Sequence, residues 1–128
     1  MTSRKDRLKK LVKVQEQLKA VHETRHAGFV AAASSAGTEA RELAESFDAE
    51  GSLSLLFPEL YNQRIAKALT RKDASLESAR AEAARIATAT ARTNMVERAY
   101  REVRRMDERD AADRDRLELI QRKPPEPR

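Results

Sequence analysis

One break divides this chain, and on either side of it the sequence reads as helix almost without interruption, from Arg4 to Glu50 and from Pro58 to Arg122. Gly51 closes the first stretch, and Pro58 followed by Glu59 opens the second. Glycine just past a helix end and proline at a first helical position are the expected punctuation of two consecutive helices. The pattern predicts an all-α fold, two long helices in an antiparallel coiled-coil hairpin with a bend at 51–57, as one domain over 1–122. A hairpin of two helices offers no deep cleft for chemistry, so the chain is expected to bind partners along its length or at its ends and to have no enzymatic activity.

Composition supports a thin core. Charged residues make up 37% of the chain and aromatics 4%, with no Trp. Such a chain fills a narrow interhelical seam and not a thick globular interior; the Ala, Glu, Arg, Lys and Leu content is that of long helices. With no Cys, a disulfide framework and a thiolate metal site are excluded, which fits a cytoplasmic chain. No apolar run approaches the roughly 20 residues that span a bilayer, and the opening Met1-Thr2-Ser3-Arg4-Lys5 leads into charge instead of an apolar signal segment. A soluble, unsecreted protein is expected.

The net charge of +5 is unevenly spread. Residues 1–25 are basic, with Arg4, Lys5, Arg7, Lys9, Lys10 and Lys13 prominent, whereas 26–60 carry Glu39, Glu42, Glu45, Asp48, Glu50 and Glu59 against Arg41 alone. The basic third permits phosphate contacts. It lacks interleaved aromatics for base stacking and an arginine-rich region running into a zipper, so a basic nucleic-acid-associated protein, like a homo-oligomerising coiled-coil scaffold, stands as an alternative to a binder of protein partners.

The first helix presents an apolar stripe of Leu11, Val14, Leu18 and Val21, interrupted at Arg25, then Phe29, Ala32, Ala36, Ala40, Leu43 and Phe47. Its mean spacing suits one face of a nearly straight helix. The second carries Ile65, Leu69, Leu76, Ala79, Ala83, Ile86, Val96, Tyr100 and Val103, closer to a heptad repeat. Folding at the bend brings Leu43 to Ile65, Ala32 to Leu76, Phe29 to Ala79 and Val21 to Ile86. The same register matches Glu45 with Arg64, Glu42 with Lys67 and Glu39 with Arg71. Intramolecular pairing and a helix-exchanged homodimer both satisfy this pattern. Gly28 and Gly37 each weaken the first helix by roughly 1 kcal/mol relative to Ala.

At 1.5 Å per residue the helices measure roughly 70 and 95 Å, so the second is expected to overhang the first from about Val103. In the overhang Met106, Leu117 and Ile120 have no partner within the chain, and Arg104, Arg105, Arg109, Leu117 and Ile120 are the candidate partner contacts. The alternative is a solvated, fraying end. The final 123–128, rich in Pro, is expected to be disordered. At the bend, Leu53, Leu55, Leu56, Phe57, Leu60 and Tyr61 read either as a plug closing the hairpin or as an exposed contact tip.

His22-Glu23-Thr24-Arg25-His26 matches the H-E-x-x-H zinc-protease pattern. No further histidine completes a three-His site, a third ligand from Glu42 or Glu45 requires the helix to fold back, and no strand is predicted to hold a peptide. The two histidines are therefore read as ordinary surface or seam-flanking residues, and no metal or other cofactor is expected.

The opening Arg7-Leu8-Lys9-Lys10-Leu11-Val12-Lys13-Val14-Gln15-Glu16-Gln17, the run Val96-Glu97-Arg98-Ala99-Tyr100-Arg101-Glu102-Val103-Arg104-Arg105-Met106-Asp107-Glu108 and the charged close Ala111-Ala112-Asp113-Arg114-Asp115-Arg116-Leu117-Glu118-Leu119 resemble the flagellar export protein FliJ family and its type III secretion counterparts, the YscO group. The resemblance spans most of the chain. It implies an antiparallel coiled coil similar to the central stalk of rotary ATP synthases. It also implies a cytoplasmic component of the export apparatus that associates with the export ATPase ring, the membrane export gate and export chaperones, and so is peripheral to the inner membrane through those partners.

Overall fold

The computed structural model describes residues 3–122; the expected disorder of 123–128 lies outside them. The fold is an all-α helical hairpin. Helix α1 runs Arg4–Asp48, a single 3-10 turn covers Leu53–Leu55, and α2 runs Pro58–Gln121. The two long helices pack against each other, and no strand occurs among the described residues. No helix of the described residues is long and apolar enough to cross a membrane. The chain divides into two compact units, residues 17–89 and residues 1–16 with 90–128.

The 17–89 unit contains the bend. Helix α1 stops at Asp48, and a turn closed by Ser52 N donating to the Ala49 carbonyl (3.3 Å) follows. Gly51 sits in that turn with φ +76°, a left-handed conformation that costs a residue with a Cβ about 1–2 kcal/mol. Pro58 then begins α2, where its missing N–H removes nothing from the first turn.

Across the seam of this unit, the inward residues of α1 are Lys19, His22, His26, Phe29, Ala33, Ala36, Ala40, Leu43 and Phe47. Those of α2 are Tyr61, Ile65, Ala68, Lys72, Ser75, Ala79, Glu82, Ile86 and Ala89. Both series alternate steps of three and four without a slip, the spacing of a heptad seam. The antiparallel register is fixed by contacts along its length. Phe47 meets Tyr61 edge-to-face with ring centroids 6.0 Å apart. Gly37 lies against the Lys72 stem, Glu39 pairs with Arg71, and His22 bonds Glu82. Of the three charge matches expected across the helices, Glu39 with Arg71 is the one that forms among the described residues.

The sequence reading of α1 needs correction in its N-terminal half. Leu11, Val14, Leu18 and Val21 are all exposed, as is Ala32. The inward positions are Val12, Gln15, Lys19, His22 and Ala33, one residue further on, which is a rotation of about 100°. Within the 17–89 unit the seam keeps the heptad phase of Phe29 to Phe47, and Glu82 of α2 meets His22 there. The most apolar face is therefore not the packed one. Val21 accordingly does not face Ile86, and Ala33, not Ala32, shares a surface with Leu76.

In the other unit, Ser3 caps α1: its hydroxyl accepts from Asp6 N at 3.2 Å, and its carbonyl accepts from Arg7 N at 3.1 Å. Such a cap satisfies donors at the helix start that would otherwise lack partners. Leu8, Val12 and Gln15 are half-buried here, together with Val96, Tyr100 and Val103 and the buried Thr93. Beyond Val103 burial stops, and every residue from Arg104 to Arg122 is exposed while the helix continues to Gln121.

Candidate functional site

Besides the exposed apolar face of α1, three regions carry side chains that packing does not explain. The first is the exposed end of α2. Met106, Leu117 and Ile120 are large apolar residues left in solvent. At about 100° per residue they fall within roughly 60° of one another. They lie on one side of the helix, with Asp113 among them by the same count and the equally exposed Leu119 on the opposite side; spaced apolar residues on one side are the anchors by which a helix seats in a partner's groove. Arg109 and, further round, Arg105 lie along one edge of that side. Arg104 lies roughly 140° from Leu117 by the same count, and its Nε is tied to Glu108 Oε1 at 3.1 Å. The five residues singled out by sequence thus do not form one cluster: Arg109, Leu117 and Ile120 share a side, Arg105 borders it, and Arg104 is turned away. Met106 completes the face, and its place is visible in the sequence as the residue three turns before Leu117.

The second region is a buried carboxylate in the seam of the 17–89 unit. Glu82 is 2% exposed. Its Oε2 accepts from His22 Nδ1 at 2.7 Å, and its Oε1 accepts from Arg85 Nη1 at 2.7 Å. Burial pushes its carboxyl up from the ordinary value, but the hydrogen bonds from His22 and Arg85, with the charge of Arg85 beside it, outweigh burial and hold it below that value. An ionised carboxylate only accepts, so His22 presents its Nδ1 proton here. This accounts for a histidine in the seam and for the two halves of the H-E-x-x-H pattern. His22 turns into the seam, while Glu23 lies along the surface of α1, paired with Lys19 at 3.8 Å. Among the described residues no group of three or more His, Cys, Asp or Glu is placed to hold a metal ion. With both oxygens occupied, Glu82 is an anchor for register. Sequence reasoning passed over it because a glutamate between Ala81 and Ala83 resembles any solvated position.

The third region is the bend. Here the inward position is polar and the apolar side chains point out. Ser54, 4% exposed, donates from Oγ to the Phe47 carbonyl at 2.7 Å, one of the carbonyls left unpaired at the end of α1. The Ser52 hydroxyl lies 2.6 Å from that of Ser54 and also accepts from Ser54 N at 3.3 Å. Closure of the hairpin is the work of these serines and of the Phe47–Tyr61 ring pair. Leu55 and Leu56 are 93% and 72% exposed, and Leu53, Phe57 and Leu60 are each more than half exposed. The cluster expected as a plug or a tip is therefore divided: Tyr61 packs inward, and the other five face solvent.

No protein-family profile, no curated protein and no solved structure matches this chain.

Proposed function

We propose that this chain is a non-enzymatic binding component of the flagellar or type III protein-export apparatus, a helical hairpin that engages the export ATPase, the membrane export gate and export chaperones through the free end of α2. The observation that carries the proposal is that α2 stays helical from Arg104 to Gln121 with every residue exposed, Met106, Leu117 and Ile120 on one side of it. A helix end built this way gains stability by docking. The similarity of the sequence to the FliJ and YscO groups supplies the partners, and on this reading the protein works in the cytoplasm and reaches the inner membrane through them.

The test is binding of the full-length chain to the purified export ATPase, the cytosolic part of the export gate and the export chaperones, each by sedimentation velocity. Binding of at least one that is lost on Leu117→Ser with Ile120→Ser supports the proposal. Absence of binding to all three refutes it.

The exposed Leu11, Val14, Leu18 and Val21 of α1 favour a second reading, a homo-oligomerising scaffold. Concentration-dependent self-association that is abolished by polar substitution of these residues, without any export partner bound, decides for it.

A further inference from the structure

The bend is built inside out, and its charge says what it is built to meet. A bend that only reverses the chain has no use for leucines at its outer surface. Here the buried place goes to Ser54, bonded to the Phe47 carbonyl, and Leu53, Leu55, Leu56, Phe57 and Leu60 are turned to water. A contiguous exposed apolar patch of this kind marks a contact surface. Asp48, Glu50 and Glu59 border it, and no Lys or Arg occurs between Arg41 and Arg64. Every ion pair among the described residues is made by some other carboxylate. A chain with a net charge of +5 thus ends in an apolar tip rimmed by unneutralised negative charge.

We infer that this tip is a second docking site, independent of the α2 end, and that its occupant is a Lys/Arg-rich amphipathic helical segment of another protein. The apolar face of such a helix covers Leu55 and Leu56, and its basic flanks neutralise the rim. Charge complementarity decides among occupants. Two tips brought together repel, because each carries the same carboxylates. An anionic lipid surface repels the rim likewise. A basic partner gains from both the patch and the rim, and its binding weakens with salt.

The experiment uses the full-length chain and a fluorescent Leu/Lys amphipathic helical peptide of about five turns, read by anisotropy, with a peptide of the same pattern carrying Glu in place of Lys as control. Leu55→Ser with Leu56→Ser removes apolar contact at two solvated positions, so the fold is kept; circular dichroism verifies this. Glu50→Lys with Glu59→Lys inverts part of the rim. The expected result is binding of the Lys peptide at least about tenfold tighter than the Glu peptide, weakened about tenfold or more by either tip variant. Leu117→Ser with Ile120→Ser leaves it unchanged, which separates this site from the one proposed above. Equal binding of the two peptides, or binding unaffected by both tip variants, overturns the inference. So does self-association, or flotation with phosphatidylglycerol vesicles, that Leu55→Ser with Leu56→Ser abolishes, since the occupant is then a second copy or a membrane.

Discussion

Replacing each glycine of this chain by alanine is one substitution with two opposite outcomes, and the structure sets both signs. Gly28 and Gly37 lie within α1 at ordinary helical angles. A Cβ at Gly28 meets nothing within 4 Å, and one at Gly37 meets the Lys72 stem at 3.5 Å, an ordinary contact. Neither methyl clashes, so each gains what alanine gains over glycine in a helix, about 0.5–1 kcal/mol, mostly from the reduced freedom of the unfolded chain. The two sites are about 14 Å apart along the axis and share no partner, so the effects add to about 1–2 kcal/mol. Gly51 is also open to solvent, with nothing within 4 Å of the added Cβ, but its φ is +76°. There alanine costs about 1–2 kcal/mol with no clash at all. Urea denaturation followed by circular dichroism reads the changes as shifts of the midpoint at constant slope. Gly28→Ala that fails to stabilise, or Gly51→Ala that stabilises, refutes the argument.

Three further outcomes follow from packing and charge. Ser54→Ala removes the donor to the Phe47 carbonyl from a buried position and destabilises by about 1–3 kcal/mol in the same assay, whereas Leu55→Ser, at a site 93% exposed, moves the midpoint little. Ala68 is fully buried in the seam, so Ala68→Leu overpacks it and costs about 1–3 kcal/mol, seen as a lower melting temperature. Because the folded chain holds the Glu82 carboxyl below its ordinary value of 4.5, this group stabilises fully above that value, and its contribution drains away as pH falls through the lower folded value. Wild-type stability therefore falls on acidification below about pH 4.5, and Glu82→Gln, measured by urea midpoint against pH, loses that part of the acid limb.

Local signals wrote the hairpin plainly into the sequence. Gly51 and Pro58 act through backbone geometry alone, and the helices between such marks need only propensity and spacing. What escaped was which face packs. Hydrophobicity points to Leu11, Val14, Leu18 and Val21, but the seam follows the heptad phase set nearer the bend. At those heights the half-buried places go to Gln15, Lys19 and His22, and His22 is held by Glu82, sixty positions away. No reading of α1 by itself recovers that pairing. At the bend the sequence leaves a plug and an exposed tip open, and the hydrogen bonds of Ser54 to the end of α1 take the inward place and leave the leucines outside. At the end of α2 the candidate residues were recognisable because an exposed helix obeys its own periodicity. Angle around the axis, and not proximity in sequence, is what sets Arg104 apart from the other four.

The alanine seam also governs how the protein responds to temperature. Its buried apolar residues are Ala33, Ala36, Ala40, Ala68, Ala79 and Ala89, and no large side chain among the described residues is fully enclosed. Unfolding such a seam hydrates little hydrocarbon and much peptide backbone, and these change the heat capacity in opposite directions. The unfolding heat capacity per residue should then fall below the usual ~12–15 cal/mol/K. The stability curve becomes shallow, with enthalpy and entropy of unfolding that vary slowly with temperature. Cooling costs such a molecule little, and on heating it loses stability gradually.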